Sequence, residues 1–299
     1  MERKKGRAFK SFLKGFVITL LVLVPAYIGV FRFATAKAEE KVAPAPRETQ
    51  EVSAEVTPKN YNMLFLVKEE GTRRLIGASL IRFDTRNTRA VACALPLDTV
   101  LLSDKRPVTL KKLYESGGGD KTGECVSDTL GITLSGFVAT DENTLAEVVD
   151  TLGGFPFLLE KDFSVKNADG VIVYTKYAGS SRLSGNDAAM LLLHAGEVNE
   201  NGVYLRERLL EAALGEFGRG DFAAGLSEAY SGAVNKIETD ISLSGMYALT
   251  KAANSIRTES GISVTVARLE GKKEDGRFEL SEAACERINE LFGTRAAED

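Results

Sequence analysis

Histidine is almost absent from this 299-residue chain and cysteine is sparse: one of the first, His194, and three of the second, Cys93, Cys125 and Cys285. No zinc-ligand spacing can be assembled from so few of either. No nucleophile motif surrounds His194, so a Ser-His-Asp hydrolase has no support. The three cysteines are too few and too scattered for a disulfide framework. They lie on apolar stretches, as buried thiols do, with a single bridge left open. Excess positive charge is missing as well. At a net charge of −4, and without a helix-turn-helix pattern, nothing draws the chain to nucleic acid. Internal repeats are also lacking. Gly117-Gly118-Gly119 before Asp120 resembles a phosphate loop, but the Lys-Ser/Thr of a P-loop does not follow, and the triplet reads as a helix terminator.

What remains is the make-up of a packed globular protein, 44% hydrophobic and 27% charged. It sits behind an unusual N-terminus. Residues 1–14 carry Arg3, Lys4, Lys5, Arg7, Lys10 and Lys14, and an uncharged run follows over residues 15–31. As a helix that run spans roughly 25 Å, a little short of a ~30 Å hydrocarbon core, and Phe12, Leu13 and the snorkelling Lys14 and Arg32 make up the difference. The basic flank predicts a cytoplasmic N-terminus and an extracytoplasmic body. A secreted protein cleaved after Ala34-Thr35-Ala36 is the competing reading. Residues 32–59, with Pro44, Pro46 and Pro58 among polar residues, form a semi-extended linker.

The folded domain is expected over residues 60–293, with a short tail over 294–299. The apolar run 61–67 has strand length and suits a strand covered on both faces. Residues 80–83 and 90–95, flanking the polar turn 84–88, predict a hairpin. Further strands are expected over 131–140, 155–159, 171–174 and 262–269. Helices are expected over 110–116, ending at the glycine triplet, and after the caps Asp141, Ser184 (boxed with Asp187), Ser242 and Ser281, with one more over 205–214. In the helix after Asp141, Leu145, Val148, Val149 and Leu152 fall on one face. Mixed strands and helices of this kind imply an α/β (α+β) domain, a mixed central sheet sandwiched by helices, behind an N-terminal transmembrane helix.

The second strand of the hairpin runs into Pro96-Leu97-Asp98-Thr99. Proline ends the ladder and releases Asp98 and Thr99 from the strand end, where polar groups can reach a ligand. This segment resembles the signature of the LytR-CpsA-Psr family, the cell envelope-related transcriptional attenuator domain, in which the tetrad is typically Pro-Arg-Asp-Thr. Thr129-Leu130-Gly131-Ile132, the stretch EVVDTLGGF over residues 147–155, and Leu183-Ser184-Gly185-Asn186-Asp187-Ala188 resemble later family motifs, in order and at matching spacing.

The resemblance implies a membrane-anchored extracytoplasmic protein of bacterial cell-envelope assembly whose partners are the membrane and a polyprenyl-phosphate lipid or envelope glycan. Family members clamp a pyrophosphate with arginines and a divalent metal on aspartates, hold the lipid tail in an apolar groove, and transfer the glycan to peptidoglycan. Carried over, Asp98 would hold the metal, Mg²⁺ if the protein is active and none otherwise. Asp98 and Arg206 would be catalytic, Arg74 and Arg206 would bind phosphate, and Leu145, Val148 and Val149 would line the groove.

The carry-over is incomplete. The tetrad's arginine is Leu97, the upstream metal aspartate falls on Ile76, residues 193–203 hold none of the family's arginines, and the final Arg-Gln pair is Arg206-Glu207. Glu207 would repel phosphate, and Arg208 would point elsewhere on the helix. Losing most of the clamp implies a transferase activity weakened or lost. An active glycopolymer phosphotransferase and a purely protein-binding envelope scaffold are the alternatives. Each site residue also has a plainer reading: Asp98 as a turn residue, Arg206 and Arg74 as surface charges, and the three apolar residues as core.

Overall fold

Alternation along the first strand dictates the architecture. In Tyr61–Lys68 (β1), Leu64 and Leu66 face one side and Met63 and Phe65 the other, and both sides are apolar, so helices must cover both. The computed structural model shows that arrangement. It describes residues 60–198, 202–217, 232–233, 235–258 and 261–293. The chain divides into two units, Met1–Glu55 and Val56–Asp299, and all that is described belongs to the second. The basic segment, the apolar run 15–31, the linker 32–59 and the tail 294–299 lie outside the described residues. Among the described residues no helix is long and apolar enough to cross a membrane.

The elements that follow are Leu75–Asp84 (β2), Arg89–Ala94 (β3), Val100–Ser103 (β4), Arg106–Thr109 (β5), Leu110–Leu130 (α1), Gly136–Asp141 (β6), Glu142–Thr151 (α2), Phe155–Leu159 (β7), Phe163–Lys166 (β8), Ile172–Lys176 (β9) and Gly179–Leu183 (β10). Then come Gly185–Leu193 (α3), Ala195–Val198 (α4), Val203–Phe217 (α5), Glu238–Thr239 (β11), Leu243–Ser255 (α6), Ser263–Val266 (β12), Gly271–Glu274 (β13), Arg277–Leu280 (β14) and Glu282–Phe292 (α7). Six strands form a mixed sheet in the order β11-β6-β1-β2-β3-β12, with β1/β6 and β3/β12 parallel and the other pairs antiparallel.

One face of the sheet, with Leu64, Leu80, Val91, Cys93 and Phe137, packs on α1 and α7. The opposite face, with Met63, Ile81, Phe83 and Val138, packs on α6 and the end of α5. A second layer on that side joins α2, α3 and α5 to β7 and β8 through Val149, Phe155, Phe163, Leu183, Leu191 and Leu205. All three cysteines are free, Cys93 and Cys125 buried.

The expected hairpin exists with a longer first strand, in the register Leu80↔Cys93 and Asp84↔Arg89. Asp84 is buried in its turn and accepts hydrogen bonds from the Asn87 backbone and side chain and from Arg89. All four proposed caps accept the expected backbone N–H, and the Ser184–Asp187 box is closed from both sides.

Two expectations need correction. The helix over 110–116 does not end at the glycine triplet: α1 bends at Gly118, which takes φ +70°, and runs on to Leu130. Gly119 is there because its Cα lies against the Phe137 ring, where an added Cβ would sit 2.1 Å from a ring carbon. The strand over 131–140 accordingly begins only at Gly136, because α1 and its αL cap Gly131 use the first part of that stretch.

Candidate functional site

The tetrad after β3 is pinned by backbone bonds on three sides. Leu95 N–H donates to Ala78 O (2.9 Å), and this is the last ladder bond before proline. Thr99 N–H closes a turn onto Pro96 O, while Leu110 and Lys111 at the head of α1 donate to Thr99 O and Leu97 O at 2.8 and 3.0 Å. Phe278 of β14 donates to Asp98 O at 2.9 Å. Asp98 is therefore held on a rigid strap.

Leu97 is half-buried and packs against the core on the face that α1 and α7 cover. Asp98 meets Lys111, whose Nζ lies 2.5 Å from Oδ1. Its carboxylate is thus engaged by an ammonium from α1, a partner that sequence spacing alone does not reveal.

Arg206 comes to the same neighbourhood from α5. It is only 7% exposed, and its Nε donates to Ile76 O at 2.9 Å. Burial pulls its guanidinium down to about 10, against the pull of the nearby Asp98, which raises it. Asp98 and Arg206, far apart in sequence, thus share one electrostatic environment.

Arg74 does not join them through any described bond. Exposed after the β1–β2 turn, it forks onto Glu69 through Nε (2.7 Å) and Nη2 (2.9 Å). Glu69 raises its pKa, and Arg74 lowers that of Glu69 in return. Ile76, at the position of the missing aspartate, is buried apolar and contributes only its carbonyl.

Glu207 is buried beside Arg206 and faces the Arg268 Nε at 3.4 Å. Burial pushes its carboxyl up and Glu211 adds to this, while Arg268 pulls it back in part. Arg208 does point elsewhere, to Glu160 (2.8 Å) and Leu158 O (2.6 Å), lying over the Phe157 ring. Arg208 and Arg268 flank the Tyr204 ring at 5.7 and 5.6 Å.

The apparent phosphate loop already faces an internal anion: Gly119 N–H points at Glu238 Oε1 at 3.4 Å. His194 bonds Glu197 through Nδ1 at 2.7 Å. Of the three groove residues, Val149 is buried in the α2–α3–α5 layer, Leu145 packs against that layer, and Val148 is half-buried. A cavity of about 230 Å³ is lined by Asp120, Glu124, Ser127, Phe137 and Asp240. It includes neither Asp98 nor Arg206, and its acidic wall is unsuited to phosphate.

The residues around Asp98 do not suit a divalent cation. Among the described residues no three His, Cys, Asp or Glu side chains gather as a metal site would require. One of the two aspartates is Ile76. Against the other stands Lys111, and at 4 Å and an effective dielectric near 20 each unit charge pair is worth about 4 kcal/mol, so a dication beside the ammonium meets roughly twice that repulsion.

The chain matches the LytR_cpsA_psr family over residues 30–291. It belongs to that family. No curated protein has a matching sequence. Among solved structures, TagV of B. subtilis is 20% identical, with a TM-score of 0.62 over 79% of this chain and 96% of that one. A protein from Eubacterium siraeum is 13% identical, with a TM-score of 0.70 over 84% and 99%. TagT, solved bound to LI-WTA, is 17% identical, with a TM-score of 0.57 over 78% and 89%. At such identities the likeness is one of fold.

Within this LytR_cpsA_psr domain, two of the sequence motifs turn out to be one structural clamp. Asp150 Oδ1 of EVVDTLGGF accepts from Gly185 N–H at 2.6 Å, and Arg182 donates to Gly153 O and Gly154 O at 2.5 and 3.0 Å. Gly185 must lack a side chain because the head of α3 rests on the backbone of Ala146, 2.0 Å from where a Cβ would be.

Proposed function

We propose that this chain is a membrane-anchored, extracytoplasmic protein of cell-envelope assembly that binds a polyprenyl-phosphate-linked glycan, with transferase activity weakened or lost. The observation that carries the reading is Arg206, buried with its Nε on Ile76 O and within reach of the Asp98 charge, in a family domain of otherwise depleted site. A buried guanidinium is a natural phosphate ligand, since its planar fork matches phosphate oxygens. The lipid tail would follow the partly exposed apolar flank of α2, at Leu145 and Val148. Membrane anchoring draws on the basic flank and the apolar run 15–31.

Weakened chemistry follows from the same residues. Charge developing on a pyrophosphate in the transition state would meet one buried arginine here, where the family supplies several arginines and a metal. A scaffold reading has one observation of its own: β9 and its neighbours expose Val171, Ile172, Val173 and Tyr177, an apolar surface of the kind that protein partners cover.

The test is native mass spectrometry of the full chain purified in detergent, with and without added geranylgeranyl pyrophosphate. A bound polyprenyl phosphate, or binding of the analogue that weakens in Arg206→Lys, is expected. Mg²⁺-dependent cleavage of the analogue, abolished in Asp98→Ala, would restore the active transferase. Absence of any lipid binding would leave the scaffold.

A further inference from the structure

The Lys111–Asp98 pair has a consequence for how the site meets its ligand, resting on the lipid-phosphate reading above. We infer that the Lys111 ammonium is a built-in substitute for a divalent metal, so that a phosphate or pyrophosphate group is met by Lys111 at the head of α1 without any metal requirement.

Four observations converge. Lys111 Nζ stands 2.5 Å from Asp98 Oδ1, a buried oxygen with no hydrogen-bond partner of ordinary geometry, so the ammonium is the group that neutralises it. Lys111 stays 41% exposed while Asp98 is 18% exposed, so the cation faces outward and the carboxylate inward. An ammonium has three donors, and a bond to Asp98 leaves two for an anion.

The charge balance agrees. Lys111 neutralises the one aspartate present, Asp98, where two aspartates would have needed a dication. Third, Lys111 lies in the first turn of α1, which has no acidic residue. A lysine there opposes the helix dipole, while an anion docked against it is favoured by dipole and ammonium together. Fourth, two buried hydroxyls at the same helix head, Thr99 Oγ1 and Thr109 Oγ1, have no hydrogen-bond partner among the described residues, and Thr109 occupies the N-cap without making a cap bond. A site rich in donors and short of carboxylates is built for an oxyanion.

The experiment uses the full chain in detergent micelles, with geranylgeranyl pyrophosphate and inorganic pyrophosphate as probes, each titrated by calorimetry in EDTA and in millimolar Mg²⁺. Mn²⁺ binding to the ligand-free chain is read by electron paramagnetic resonance. Equal affinity in both buffers is expected, with a loss of tenfold or more in Lys111→Ala, recovery in Lys111→Arg, and no Mn²⁺ bound at Asp98. Lys111→Ala is checked for folding by its melting curve.

Binding that appears only with Mg²⁺, or Mn²⁺ bound by the wild type and lost in Asp98→Asn, overturns this inference and leaves the lipid reading standing. Metal-independent binding of inorganic pyrophosphate alone supports the inference and overturns the lipid reading. Failure of both probes in both buffers overturns the two together.

Discussion

Glu207 shows how one side chain can weaken a phosphate site without disturbing the fold. Where the resemblance leads one to expect glutamine, this chain buries a carboxyl that burial pushes upward and Arg268 only partly restrains. A carboxyl whose folded pKa exceeds its unfolded value contributes most at low pH, when it is neutral in both states. That contribution is lost as pH rises from the unfolded pKa through the folded one. Glu207→Gln keeps the shape and removes the charge. At pH 7–8 the variant should melt higher than the wild type, and the gap should close near pH 4, as read by thermal denaturation across that range. A wild type that is the more stable at pH 8 would show that the Arg268 pair outweighs desolvation. The same variant should tighten pyrophosphate binding, since a neutral amide no longer repels the ligand beside Arg206.

At the scale of elements, the clamp between α2 and α3 carries the clearest demand. The head of α3 lies on the Ala146 backbone, Asp150 takes the Gly185 N–H, and the closed Ser184–Asp187 box starts the helix at that point. Gly185→Ala must push α3 away from α2 and should cost about 1–3 kcal/mol. Chemical denaturation would show this as a lower midpoint at unchanged slope, and an unaltered midpoint would mean the two helices slide freely. These elements were legible in the sequence because each signal is local: a cap, its partner three residues on, and a glycine after the last apolar position. The hairpins β4–β5 and β13–β14 were not legible, and of β8–β9 only the second strand was, expected over 171–174 and found over Ile172–Lys176. The strands missed are four residues long, and Gly271–Glu274 carries no apolar alternation because it is exposed throughout. The kink at Gly118 escaped for another reason. A glycine triplet reads as a stop, and only the Phe137 ring, on a strand distant in sequence, explains why the helix resumes.

For the whole molecule, what could be read was what the chain repeats along itself, and what could not was what folding brings together. Asp98 and Arg206 are picked out by motif position, whereas Lys111, which pairs with Asp98, and Arg268, which pairs with Glu207, become visible only when the chain folds. The same long-range joins govern stability against acid. Asp187 is half-buried where the β8–β9 arm meets α3. Burial alone would raise its pKa, but hydrogen bonds from Lys176 (2.8 Å), Tyr174 (2.6 Å) and the Ser184 backbone (3.2 Å) outweigh it and hold the carboxyl below its usual value. Asp84 behaves alike in the β2–β3 turn, where bonds from Asn87 and Arg89 and the charge of Arg82 overcome the cost of burial. A carboxyl depressed in this way stabilises the fold above its unfolded pKa near 4, and that contribution disappears as pH falls through the folded value. Melting temperature should therefore fall steeply below about pH 4. Asp187→Asn, which loses the charge but keeps the shape, should melt lower than the wild type at pH 7 and approach it near pH 2–3. Thermal melts of the two proteins between pH 7 and 2.5 decide the matter: a constant difference would mean that Asp187 acts by packing alone, and a closing one that its ionised form ties the arm to the domain.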